Sequence, residues 1–212
     1  MRRRGPDFYL WIVLWIFILL QQGREIFNLV SGLGVNVFLS MEFYLCLLLL
    51  GCFIGLFISI LLGKRTLVLV FFGGILLLEC VYFVAIGQFG LLSIRNIISS
   101  DIPATHKLLF LFDGVLYPVG FVIYTITYIV TLILYFLNHR FRHTLINVLM
   151  VMGICIIVFE LGGIAFDYLS YAGSGVEISF SPFDIFFDML KVVFFGIIFI
   201  TVPKDMHEHY LY

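Results

Sequence analysis

The sequence predicts an all-α, polytopic transmembrane helical bundle with six spans and both termini in the cytoplasm. Three observations predict it: an apolar composition, six apolar stretches of about 20 residues, and an unequal distribution of Lys and Arg between the two sides of those stretches. Of the 212 residues, 63% are apolar and only 12% are charged, and the mean hydropathy is +1.17. Water-soluble domains carry about 25% charged residues. We therefore expect one integral membrane domain over residues 1–212.

The spans follow from the thickness of a bilayer. A helix needs about 20 apolar residues to cross about 30 Å of hydrocarbon, and lipid excludes open strands. The predicted spans cover residues 8–26, 43–62, 66–92, 115–137, 144–166 and 182–202. The first lacks a signal-peptide cleavage site and is interpreted as a retained helix, interrupted by the polar residues 21–25. The last begins at Ser181-Pro182, and Pro203 follows its predicted end.

The orientation rests on the distribution of Lys and Arg, which are enriched in cytoplasmic loops. The termini and the turns on their side hold eight, whereas the opposite loops hold three, namely Arg24, Arg95 and Lys107. This asymmetry predicts cytoplasmic termini. The eight are Arg2, Arg3, Arg4, Lys64, Arg65, Arg140, Arg142 and Lys204. The Lys64-Arg65 turn is short, so the second and third helices are expected to form an antiparallel hairpin.

Charges inside the spans gather in the outer half of the bilayer. Counting about 1.5 Å per residue, Glu79 lies about 10 Å below the outer surface, and Glu160 lies about 6 Å below it. Asp184, Asp188 and Lys191 share one face of the last helix, at i, i+4 and i+7. Because an ion facing lipid costs at least about 2.5 kcal/mol, we expect these five side chains to converge. They form either a structural network that fixes the helix register, or an outward-facing polar pocket or part of an ion or proton path.

Two further patterns concern helix packing. Four tyrosines share one face of the fourth span: Tyr117, Tyr124, Tyr128 and Tyr135. This face predicts an inter-helix packing surface or, alternatively, a hydroxyl-lined wall beside a polar pocket. Gly51 and Gly55 form a GxxxG pattern in the second span, which predicts close helix packing inside the subunit or between subunits.

A basic and aromatic turn follows the fourth span. Its sequence, NHRFRH, places His139, Arg140, Arg142 and His143 on the cytoplasmic side. These residues predict contacts with lipid headgroups or a docking surface for a cytoplasmic partner. The two histidines lie at i and i+4, but the segment lacks the thiols or acids of a tight metal site, so no metal is expected.

Several chemistries are not expected. No Walker motif, dinucleotide fingerprint or HExxH is present, and no span contains a histidine that could activate Ser174, so no enzyme and no cofactor are predicted. Basic residues occur only in short clusters, which argues against nucleic acid. The four cysteines lie in apolar runs without a C-x-x-C, as expected of buried thiols.

Three function classes remain. The first is a non-catalytic membrane subunit, an anchor or sensor that responds at its outer face and binds a cytoplasmic protein or forms a homo-oligomer. In format alone it resembles the small polytopic sensor subunits of bacterial antiphage systems, which implies a defence or signalling assembly in a bacterial inner membrane. The second is transport of a small solute or ion, by an importer's substrate-binding subunit or an oligomeric channel. The third, an intramembrane enzyme, is disfavoured because the sequence contains none of the catalytic motifs sought.

Overall fold

The structure is a computed structural model that describes residues 6–34, 36, 40–85, 104–111, 115–174 and 182–208. The described residues are helical apart from short turns, and they contain no β-strand. Their helices are α1 (Pro6–Leu33), α2 (Met41–Leu61), α3 (Arg65–Ala85), α4 (Ala104–Leu111), α5 (Tyr117–Phe136), α6 (Arg142–Ser174) and α7 (Pro182–Glu208).

Within the described residues, four helical segments are long and apolar enough to cross a bilayer: Met41–Leu61, Arg65–Tyr82, Tyr117–Phe136 and Arg142–Ile164. A shorter apolar stretch, Val192–Lys204, lies within α7. Helices satisfy all their backbone hydrogen bonds internally, which is the condition for crossing hydrocarbon. The chain is therefore a helical membrane protein.

The helices separate into two compact units, Met1–Ile86 with α1 to α3 and Gly87–Tyr212 with α4 to α7. The prediction of a single membrane domain over residues 1–212 remains untested.

In the first unit, α2 and α3 form the predicted antiparallel hairpin. Gly63 has a φ of 65°, its amide donates to Ile60, and the Lys64 amide donates to the Ser59 carbonyl. This is a Schellman motif, in which a left-handed residue reverses the chain and satisfies the last carbonyls. The side chains of Cys52 and Phe71 then pack onto glycines of the facing helix.

Helix α1 packs on α2 in the same unit. The ring of Trp15 contacts Phe53 and Phe57, with centroids 6.2 and 5.9 Å apart. The expected interruption at residues 21–25 does not occur, because α1 is continuous to Leu33. The polar side chain of Gln22 is buried on the same face as Trp15 and Ile18.

The second unit repeats the hairpin arrangement. Asn138 ends α5 with a φ of 54°, its amide donates to Tyr135, and the amide of His139 donates to the Leu134 carbonyl. This is a second Schellman motif, here with asparagine in the left-handed conformation. Helix α6 then packs against both α5 and α7.

The packing of α6 on α7 uses two glycines, Gly153 and Gly196, which face Phe199 and Ile157 respectively. These pairs establish that the two helices are antiparallel. The predicted start of α7 at Pro182 is observed, but its predicted end is wrong. The helix continues through Pro203 to Glu208.

Candidate functional site

The turn between α5 and α6 presents an aromatic and basic cluster at the surface. Phe141 is 57% exposed, and its ring stacks on His139 with centroids 5.4 Å apart and an interplanar angle of 22°. The guanidinium carbon of Arg140 lies 5.4 Å from the centroid of the same ring. We call His139, Arg140 and Phe141 the turn cluster.

Backbone contacts hold the turn cluster in place. The Phe141 amide donates to His139 Nδ1 at 3.4 Å, and the Arg142 amide donates to the His139 carbonyl at 3.2 Å. Asn138, which directly precedes these residues, is in the left-handed conformation. Together with these hydrogen bonds it makes the turn compact. The exposed side chains therefore project from an ordered backbone.

Arg142 differs from the other predicted docking residues. Its side chain is only 7% exposed, and Nη1 donates a hydrogen bond to Asn138 Oδ1. Its guanidinium therefore closes the turn, whereas His139 and Arg140 are exposed and His143 is half-buried. Phe141 lies at the centre of the cluster and was not among the predicted docking residues. The signal for it was its place between two arginines directly after a span.

The position of the turn in a membrane follows from its neighbours. Tyr117–Phe136 and Arg142–Ile164 are each long and apolar enough to cross the bilayer. Five residues join them, so two such crossings would place the turn at a membrane surface. Arg140 and Phe141 have the chemistry of that boundary, where a cation reaches headgroups and an aromatic ring meets acyl chains.

The predicted tyrosine face lies largely inside the second unit. Tyr124 and Tyr128 are fully buried, as are Phe121 and Thr131, while Tyr117 and Tyr135 are half-buried. The Tyr124 hydroxyl donates to the Phe199 carbonyl oxygen of α7 at 2.9 Å. A buried hydroxyl bonded to the backbone of a neighbouring helix is the arrangement expected of a packing surface.

The predicted outer charged cluster is distributed over both units. Glu79 is half-buried in α3 of the first unit, and Glu160 is half-buried in α6 of the second. Asp184, Asp188 and Lys191 lie in α7, but their side chains fall outside the described part of the structure. The convergence of these five side chains therefore stays a prediction.

A polar contact in the first unit was not predicted. The Tyr82 hydroxyl donates to Glu42 Oε1 at 3.1 Å, joining the end of α3 to the start of α2. The predicted hairpin could have indicated this contact. Glu42 and Tyr82 are roughly equidistant along the chain from the Gly63 turn, and antiparallel helices bring such residues together.

Gln22 is a second polar residue that the sequence reasoning did not place. It is 2% exposed, and its side-chain oxygen finds no hydrogen-bond partner among the described residues. An amide oxygen buried in this way costs about 1–3 kcal/mol unless something satisfies it.

Within the described ranges, no group of three or more His, Cys, Asp or Glu residues could hold a metal ion.

Comparison with known proteins leaves the geometry as the only guide to function. No protein-family model, no curated protein and no solved structure matches this chain.

Proposed function

We propose that the chain is a non-catalytic integral membrane subunit that acts as an anchor or sensor and docks a soluble partner on the turn cluster. In this proposal it crosses a bacterial inner membrane six times with both termini in the cytoplasm. The four span-capable segments supply four of the crossings, and α1 and α7 supply the other two.

One observation carries the docking part of the proposal. The turn cluster combines an exposed aromatic ring, a guanidinium and an imidazole on a backbone held by hydrogen bonds. Aromatic residues and arginine are enriched where proteins bind each other, and an ordered backbone lowers the entropy that binding costs. Arg142 supports the same interpretation, because its buried side chain keeps the turn in shape.

The sidedness of the proposal rests on charge. The turn cluster belongs to the side with eight Lys and Arg residues, against three on the other side. Cytoplasmic loops are enriched in these residues. A soluble protein would therefore meet the turn cluster from the cytoplasm, and a stimulus would act on the outer charged residues such as Glu79 and Glu160.

Site-specific photocrosslinking tests the docking proposal. A benzoylphenylalanine replaces Phe141 in the full chain, expressed in native membranes. The matched control carries the same probe at Leu62, which is 64% exposed in the α2–α3 turn and lies on the same predicted side. We expect a discrete protein adduct from position 141, weak or none from position 62, and at least a fivefold loss when Arg140→Ala is added.

Several outcomes would contradict the proposal. Equal adducts from both positions would indicate random collisions, and lipid adducts alone would make the turn a headgroup contact. A lone monomer after gentle detergent extraction would argue against any partner. Flux of a labelled solute through liposomes containing only this chain would favour the transport alternative.

A further inference from the structure

Arg140 is the exposed cation of the turn cluster. Its guanidinium carbon lies 5.4 Å from the centroid of the Phe141 ring, which is itself exposed. Among the described residues Arg140 forms no ion pair, and none of its N–H groups donates to an oxygen atom. A guanidinium has five N–H donors in one plane. Arg140 therefore presents unused donors directly beside an exposed aromatic ring.

His139 adds a second donor beside the same ring. Its Nδ1 accepts a hydrogen bond from the Phe141 amide at 3.4 Å. A ring nitrogen that accepts a hydrogen bond carries no hydrogen, so the neutral imidazole holds its proton on Nε2. The imidazole is exposed and stacks on Phe141. The turn cluster thus combines an apolar ring with two kinds of N–H donor, and neither polar side chain has an acceptor left.

The surrounding sequence supplies no negative charge that could neutralise Arg140. Residues 114–159 contain no Asp or Glu, and this range covers α5, the turn and the first half of α6. Arg142, the other arginine of the turn, is only 7% exposed and donates to Asn138 Oδ1. The turn therefore offers one exposed guanidinium, with no acid from either adjoining helix segment to balance it.

We propose that the turn cluster binds an acidic side chain, Asp or Glu, of the soluble partner, with an apolar group of the same segment packed on Phe141. This inference rests on the proposed function and names the chemistry of the partner. The two oxygens of a carboxylate match two N–H groups of one guanidinium, which makes the contact bidentate. His139 Nε2 donates to the same acidic segment.

The charge of the site favours a carboxylate over a phosphorylated segment. A carboxylate carries one negative charge, which the single exposed guanidinium balances. A phosphate group carries about −1.5 to −2 at neutral pH and three acceptor oxygens. Balancing it would require a second exposed cation, and the guanidinium of Arg142 is turned into the turn.

Carbodiimide coupling of an Arg140→Lys variant tests for the carboxylate directly. The carbodiimide adds to a carboxyl group, and a lysine amine in contact with that group forms an amide bond to it while the carbodiimide leaves as a urea. The full chain is kept in native membranes with the soluble extract. The natural chain measures the background, because a guanidinium does not couple in this way. We expect a protein adduct at least about fivefold above that background.

Two controls show whether the coupling is specific. Leu62→Lys places an amine at a 64% exposed position of the α2–α3 turn, on the same predicted side, and should give no adduct above background. Raising the salt from about 0.1 to about 1 M shortens the Debye length from about 10 to about 3 Å and should lower the adduct of Arg140→Lys at least threefold.

The photoadduct from position 141 provides a second measurement in which Arg140 can stay natural. Its yield should fall about threefold with Arg140→Lys, which keeps the charge but loses the planar pair of donors, and about tenfold with Arg140→Gln. Phosphatase treatment of the soluble extract should leave the yield unchanged. A loss after phosphatase would show a phosphorylated partner and overturn the carboxylate.

The outcomes separate this inference from the docking proposal. A photoadduct that survives Arg140→Lys without any carbodiimide adduct would overturn the acidic partner and leave the docking proposal standing. Coupling only to lipid, or only to a carboxylate of the same chain, would overturn it as well. If position 141 gives no protein adduct at all, the docking proposal fails and this inference fails with it.

Discussion

Replacing Gly55 and, separately, Gly51 by alanine tests how the GxxxG pattern of α2 is used. A Cβ at Gly55 would lie 2.5 Å from Cζ and 2.8 Å from Cδ1 of Phe71, so the ring of Phe71 would have to move. A Cβ at Gly51 would meet no described atom within 4 Å. The two glycines of one motif thus face different surroundings.

The expected magnitudes follow from two opposing terms. Alanine is about 0.8–1 kcal/mol more favourable than glycine inside a helix, and both variants gain that amount. Overpacking typically costs about 1–3 kcal/mol, and only Gly55→Ala incurs it. Because Phe71 is half-buried and can shift, we expect a net loss of about 1 kcal/mol. Gly51→Ala should instead stabilise the chain, by up to about 1 kcal/mol.

Reversible unfolding of the full chain in mixed micelles, followed by far-UV circular dichroism during titration with dodecyl sulfate, measures both free energies. Phe71→Ala makes the room that the new methyl group needs. In that background Gly55→Ala should become neutral or stabilising. If Gly51→Ala destabilises the chain as much as Gly55→Ala, both glycines belong to one interface, as expected of a dimer, and the reasoning is refuted.

The same unfolding assay checks two other positions. Tyr82→Phe removes the hydrogen bond to Glu42 and should lower the free energy of unfolding by about 1 kcal/mol. The control Tyr44→Phe, at an exposed tyrosine, should change the free energy of unfolding by less than about 0.5 kcal/mol. Equal losses in the two variants would show that the contact between Tyr82 and Glu42 contributes nothing specific. Gln22→Leu should raise the free energy of unfolding by about 1 kcal/mol, because it removes a buried amide oxygen that has no partner within the described residues. A decrease would instead indicate that the amide binds a water or another polar molecule.

The helices themselves were accessible from the sequence because hydropathy is a local property. The predicted stretches 43–62 and 115–137 agree closely with α2 (Met41–Leu61) and α5 (Tyr117–Phe136). The short turn at Lys64 was equally predictable, since few residues join two long apolar runs. A helix needs no distant partner to satisfy its backbone, so a bilayer selects it directly.

Two helix boundaries were predicted wrongly because they depend on contacts with other helices and not on the local sequence. The polar residues 21–25 were expected to interrupt α1, yet Gln22 is buried on the face that carries Trp15 and the helix continues. Pro203 was expected to follow the end of α7, yet the helix passes through it. In the second case a hydroxyl from another helix satisfies the carbonyl at the proline, and no local pattern reveals such a donor.

The candidate site, too, could be predicted from the sequence only in part. The sequence indicated that NHRFRH forms a surface turn, and it named His139, Arg140, Arg142 and His143. It could not indicate that Arg142 turns inward to Asn138 while Phe141 becomes the exposed centre. Which side chain of a tight turn points outward depends on the backbone dihedral angles, and here on the left-handed Asn138.

By itself, the sequence determined that this protein is an all-helical membrane protein, the positions of α2 and α5, and the short turns that follow them. These features depend on the free energy of transferring each residue from water to hydrocarbon and on short-range backbone preferences. The tertiary structure decided that the ring of Phe71 packs against Gly55, whereas no described atom packs against Gly51. It also decided that the Tyr124 hydroxyl donates a hydrogen bond to the Phe199 carbonyl. Those outcomes depend on the register between helices far apart along the chain, where a shift of one residue would bring different atoms together.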